Sequence, residues 1–158
     1  MTDRNAAIAA RLQAELADLK RVVDRTVYLL DKAQDQNDDD YLDGVALNLH
    51  AFYAGVERIF EEIASEIDRS LPTGAEWHRN LLLQMSAEIS NARPAVIQQA
   101  TRDCLDEYRG FRHVVRNVYT FNLRPSRLRE LVTDLRACSE KFRRDVTAFC
   151  AFLEQLEE

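Results

Sequence analysis

The stretch YRGFRHVVRNVYTFNL, Tyr108–Leu123, carries the period of an α-helix and not that of a strand. Phe111, Val114, Val115, Val118 and Phe121 recur every three to four residues, which is the spacing of one buried helical stripe. At 100° per residue, Arg109, Arg112, Arg116 and Tyr119 fall on the opposite side of the same helix. His113 sits at one edge of that polar face, and Asn117 lies further round, towards the core.

Outward from this segment the same period continues. On the N-terminal side, Pro94 suits the first turn of the motif helix, which runs to about Phe121. On the C-terminal side, Pro125 suits the start of a last helix. Its stripe is Leu128, Leu131, Leu135, Phe142, Val146, Phe149, Leu153 and Leu156. A first helix spans about Asp3 to Ala33, with Ile8, Leu12, Leu16, Leu19, Val23 and Leu30 on one face. The acidic break QDQNDDD, Gln34–Asp40, precedes a second helix from about Tyr41 to Ile67, and Asp40 is placed to cap it. Gly44 and Gly55 lie inside that helix, where close helix approach is one reading and a simple cost in stability the other. SLPTGAE reads as a turn, and Thr73 with Glu76 has capping-box spacing before a short helix from about Glu76 to Asn91.

Four Gly, three Pro and no alternating β-branched runs in 158 residues argue for an all-α chain: an antiparallel bundle of about five helices, one domain over residues 1–158. No apolar run approaches the length of a membrane span. The N-terminal acids and helical periodicity do not suit a signal peptide, so the expected location is cytoplasmic. Cys104, Cys138 and Cys150 form an odd set without a C-x-x-C pair and read as small core filler in a reducing cytosol.

Charge singles out the motif helix again. The chain is formally −6, yet Tyr108 to Arg129 holds six arginines and no Asp or Glu. Local reversal of sign marks a surface for an anion, and guanidinium forks suit phosphate. A solvated arginine face is the plain alternative; the missing acids and the neighbouring imidazole and phenol count against it.

The segment resembles the signature of HEPN domains, specifically the HepT-like ribonuclease toxins of bacterial toxin–antitoxin pairs. Their motif runs Arg, four residues, His, one residue, Tyr. Here Arg112 takes the Arg position, Tyr119 the Tyr position, and the His position falls on Asn117. NLHAFYAGVERIFEEIA (Asn48–Ala64) and LPTGAEWHRNLLLQM (Leu71–Met85) resemble the same branch, so the likeness covers most of the chain.

The resemblance implies a HEPN-like bundle and a homodimer. It also implies metal-independent cleavage of RNA, tRNA among the candidates, at an Arg-rich site with no cofactor. A minimal-nucleotidyltransferase antitoxin of a type VII-like system would silence it by transferring AMP to Tyr119. In these terms Arg112 contacts the scissile phosphate, and Arg109 and Arg116 hold flanking phosphates.

Position 117 departs from the family. The motif His serves proton transfer, and Asn has no titratable group to do so. Three readings stand: a natural variant of low or altered activity, a deliberate His-to-Asn change, or His113 taking over one turn away. The alternative function is a non-catalytic HEPN-like module that binds RNA, a nucleotide or a protein.

Other groups carry less. His50 and His78 have no ligands at metal spacing around them. A structural or partner-contact role suits Trp77-His78 better than catalysis. Asp38, Asp39 and Asp40 read as a solvated acidic loop. Tyr53 and Glu57, four residues apart, share a side of the second helix and could brace the motif helix, with plain packing as the default.

Overall fold

Among the described residues, five α-helices carry the chain in the computed structural model. They are α1 (Thr2–Gln36), α2 (Asp40–Ile63), α3 (Trp77–Met85), α4 (Gln99–Val118) and α5 (Pro125–Gln155). The structure describes the backbone of residues 2–118 and 124–156, and the side chains of residues 4–112 and 124–156. No β-strand occurs among them; the only ladder contact is one antiparallel bridge, Ile89 with Arg93.

The long helices run antiparallel, and their side-chain pairs give the register. Along α1 and α2, Arg4 meets Glu66, Arg11 meets Glu62, and Glu15 meets Arg58. Further along, Leu19 lies over Gly55: a Cβ there would come within 2.5 Å of Leu19 Cδ2. Of the two readings of Gly55, close helix approach is therefore the correct one. Between α1 and α5, Asn5 reaches the Leu153 carbonyl and Asp24 pairs with Arg136. α2 lies in the middle and touches every other helix. Its Phe52, Tyr53, Ile59 and Phe60 are fully buried. The expected stripes of α1 and α5 also enter the core, except that Leu16 is only partly buried and Leu156 is exposed; Leu81, Met85, Ile97 and Leu105 add to it.

Several ends differ from expectation. Asp39, not Asp40, precedes the first turn of α2 without a side-chain cap, and Asp38 Oδ1 accepts the Asp40 amide at 2.9 Å. The acids Asp40 and Asp43 still favour the N-terminal dipole. α2 passes into a π-helical turn, Ala64–Asp68, which Arg69 ends at φ 57°. The Thr73–Glu76 capping box does not form: Glu76 precedes α3 with no side-chain cap. α3 is shorter than expected and stops at Met85. Pro94 is not in the motif helix, which starts at Gln99, after Asp145 of α5 has accepted the Gln98 amide at 2.9 Å.

The connection between α3 and α4 is held by a buried arginine. Arg93 and Asp68 have side chains only 0% and 2% exposed. Arg93 donates through Nε and Nη2 to the two Asp68 oxygens at 2.6 and 2.8 Å. Its remaining donors reach the carbonyls of Ala87, Pro94 and Gln84. Gln84 Nε2 also donates to Asp68. The π-turn, the end of α3 and the following loop are thus tied to one bidentate ion pair, which sets where α3 lies against α2.

Two cysteines are a correction. Cys104 and Cys138 are not separate core fillers: they are disulfide-bonded, with Cα atoms 5.8 Å apart, and join α4 to α5. Cys150 alone keeps the expected role, a buried thiol whose pKa burial pushes up to about 11. The cross-link closes a loop of 34 residues that contains the whole motif.

Candidate functional site

Three helices converge on a cluster of polar side chains. Glu57 comes from the middle of α2, His78 from the first turn of α3 and Arg112 from α4. His78 Nδ1 is 2.6 Å from Glu57 Oε2, and His78 Nε2 is 2.9 Å from Arg112 Nη1. Arg112 Nε lies 3.8 Å from Glu57 Oε1. The side chains of Glu57, His78 and Arg112 are 4%, 18% and 17% exposed, so the carboxylate forms the floor and the other two reach solvent.

Arg112 Nη1 lies 3.4 Å from Nδ1 as well as 2.9 Å from Nε2, so the guanidinium nitrogen stands over the imidazole and not in line with either ring nitrogen's lone pair. Glu57 is the acceptor within reach of an Nδ1 proton. Burial pushes the Glu57 carboxyl above its usual range; the His78 hydrogen bond and the Arg112 charge oppose that rise. The Trp77 ring lies against the imidazole, centroid to centroid 3.5 Å, and packs on the core below.

Tyr53, one turn before Glu57 on α2, is fully buried, and burial raises its phenol pKa. Its hydroxyl and Arg112 Nε have no hydrogen-bond partner among the described residues. Tyr108, by contrast, donates to the Leu131 carbonyl at 2.7 Å and is a strut between α4 and α5.

The arginine face is less bare than its sequence window suggests. Arg109 pairs with Asp106 at 2.7 Å, one turn earlier. Arg127 pairs with Glu107 and Glu130. These acids stand just outside the acid-free window. Arg112 differs from both in meeting an imidazole directly and a carboxylate only at 3.8 Å.

His113, Arg116 and Asn117 lie in the last turns of α4, outside the described side chains, and Tyr119 lies outside the described residues altogether. Of the expected site residues, Arg109 and Arg112 are on one face of α4 as the spacing requires. Glu57 and His78 were not expected to form a site. One signal pointed to Glu57: a carboxylate flanked by Val56, Ile59 and Phe60 on a buried helix face needs a partner. Nothing in the spacing names His78, 21 residues away, as that partner. Among the described residues no three His, Cys, Asp or Glu side chains are grouped to hold a metal ion, and no helix is long and apolar enough to cross a membrane.

A family model described as HepT-like protein matches residues 44–153, which takes in Glu57, His78, Arg112 and the motif. No curated protein and no solved structure matches the chain.

Proposed function

The chain belongs to the HepT-like family of the HEPN superfamily, and from that premise we propose that it is the ribonuclease toxin of a toxin–antitoxin pair. The observation that carries this reading is Arg112. The motif arginine is partly exposed beside an imidazole, and the described hydrogen bonds engage only its Nη1. Nε is buried towards Glu57, so among the described contacts Nη2 is the donor left for a phosphate. In this reading Arg112 stabilises charge on the scissile phosphate, and Arg109 and Arg116 hold its neighbours. Asn117 hydrogen-bonds ribose or phosphate, and His113 is the titratable group within the motif itself. The reaction is attack of a 2′-hydroxyl on the adjacent phosphorus, which needs proton transfer and charge stabilisation but no metal.

The active form in this reading is a homodimer. Two motif helices meet across a two-fold axis with one RNA phosphate between the Arg112 pair. The partner that silences it is a minimal nucleotidyltransferase, which transfers AMP to Tyr119. Tyr119 is seven residues from Arg112 in the sequence, a spacing that on a continuous helix would put both on one face. An added phosphodiester and base there would pair with the arginines and fill the RNA path. Asn117 favours a second reading, a non-catalytic module that binds RNA through the same arginines.

The experiment is to measure RNA cleavage by the purified chain in EDTA, before and after incubation with the neighbouring nucleotidyltransferase and ATP. Cleavage is expected first. A mass gain in AMP units and loss of cleavage follow, and neither change occurs in Tyr119→Phe. RNA bound but never cut would favour the non-catalytic module. Modification that persists in Tyr119→Phe would reject that tyrosine as the control point.

A further inference from the structure

We propose that His78, oriented by Glu57, is the proton acceptor for the attacking 2′-hydroxyl at the Arg112 site, and that it supplies the imidazole position 117 lacks. This rests on the ribonuclease reading above.

Three features of the cluster carry the proposal. The first is orientation. Glu57 accepts from Nδ1 at 2.6 Å, which leaves Nε2 as the nitrogen the carboxylate does not hold, 2.9 Å from Arg112 Nη1. A carboxylate behind an imidazole also stabilises the imidazolium that forms when Nε2 takes a proton. This is the orienting arrangement that makes a histidine a general base in other enzymes. The second is exposure. The imidazole and the guanidinium over it are 18% and 17% exposed, so a substrate can reach both while Glu57 stays buried beneath them. The third is proximity. Arg112 Nη1 is 2.9 Å from Nε2. A phosphate oxygen bound to the same guanidinium would lie within roughly 6 Å of Nε2, close enough for the neighbouring 2′-hydroxyl to bond it.

A phosphate draws the Arg112 guanidinium off the imidazole and opens Nε2 to the substrate. Nε2 takes the 2′-hydroxyl proton, and the 2′-oxygen forms a bond to the adjacent phosphorus. The bond from phosphorus to the 5′-oxygen breaks. That oxygen leaves with its electron pair and takes a proton from water. The hydroxide so formed receives the proton from the imidazolium, and the cluster returns to its resting charge. The products are a 2′,3′-cyclic phosphate and a 5′-hydroxyl. Arg112 and His78 touch the substrate. Glu57 acts through the imidazole and is a positioning residue.

The test uses the full chain and a short RNA, with cleavage rate and RNA binding measured side by side. His78→Ala is expected to slow cleavage by about 10²–10⁴-fold, with RNA affinity little changed. Free imidazole added to His78→Gly should restore part of the rate. His78→Gln, which keeps a hydrogen-bonding end, covers the case in which the smaller variants do not fold, and it should be as inactive. Glu57 from α2 and Arg112 from α4 are the charged groups in contact with the ring. Glu57→Gln should lower kcat with KM little changed, and adding it to His78→Ala should slow cleavage no further, as a residue that acts only through the imidazole requires. A wild-type chain that cuts no RNA overturns both this proposal and the functional reading. A wild type that cuts, with His78→Ala equally fast or with the rate lost only in His113→Ala, overturns this proposal alone.

Discussion

Arg112→Ala is expected to lower the rate of RNA cleavage by about 10²–10³-fold, the usual cost of removing one donor aimed at developing charge. The loss has two origins in this structure. The fork that would neutralise the phosphate is gone, and so is the guanidinium that packs against the His78 imidazole. Without the guanidinium charge, one of the influences that hold the Glu57 carboxyl down also disappears. Glu57 then takes up a proton more readily and orients the imidazole less well. Arg112→Lys keeps a charge but not the planar fork, and should recover only part of the rate. Single-turnover rates at saturating RNA separate this from weaker binding. A rate within threefold of wild type would remove Arg112 from the chemistry.

Arg93→Ala is expected to cost about 3–5 kcal/mol of folding stability, because it leaves the Asp68 carboxylate buried without its counter-charge. That is a large share of the ~5–15 kcal/mol that holds a typical domain together, and for a chain of this size it corresponds to a fall in Tm of roughly 10 °C. The effect should also reach the candidate site. Arg93 ties the carbonyls of Gln84 and Ala87 to the π-turn, and α3 carries His78 at its other end. Thermal unfolding followed by circular dichroism measures the loss. A change below 1 kcal/mol would show that the ion pair does not clamp α3.

The contrast between these two arginines shows what the sequence makes legible. Arg112 stands out because it lies in a helical motif with a clean apolar face opposite, and α4 does bury Phe111 there. The stripes of α1 and α5 are legible for the same reason: a long run of period 3.6 needs no knowledge of its partner. Arg93 lies in an irregular stretch between helices, where a charged residue reads as surface. Its burial depends on five contacts made after the chain has folded. The same holds for the site. Glu57, His78 and Arg112 are separated by 21 and 34 residues, and only the packing of α2, α3 and α4 brings them together.

The misread ends share a cause as well. Thr73 and Glu76 have the spacing of a capping box, and Pro94 has the look of a helix start. Local signals of that kind give way when tertiary contacts offer better partners. The Gln98 amide is satisfied by Asp145 of α5, 47 residues on, and α4 begins there. The disulfide between Cys104 and Cys138 was hidden behind the odd cysteine count, since the third thiol, Cys150, is buried on a different part of α5.

The most direct test of the central claim, that this chain cleaves RNA through attack by the RNA's own 2′-hydroxyl, uses a DNA oligonucleotide carrying a single ribonucleotide. The oligonucleotide is incubated with the chain in EDTA, and the products are identified by mass. The account predicts one cut, on the 3′ side of the ribonucleotide, leaving a 2′,3′-cyclic phosphate and a 5′-hydroxyl, and no cut when the 2′-oxygen is methylated. An intact oligonucleotide, cutting at deoxyribonucleotides, or products with a 3′-hydroxyl and a 5′-phosphate would contradict it.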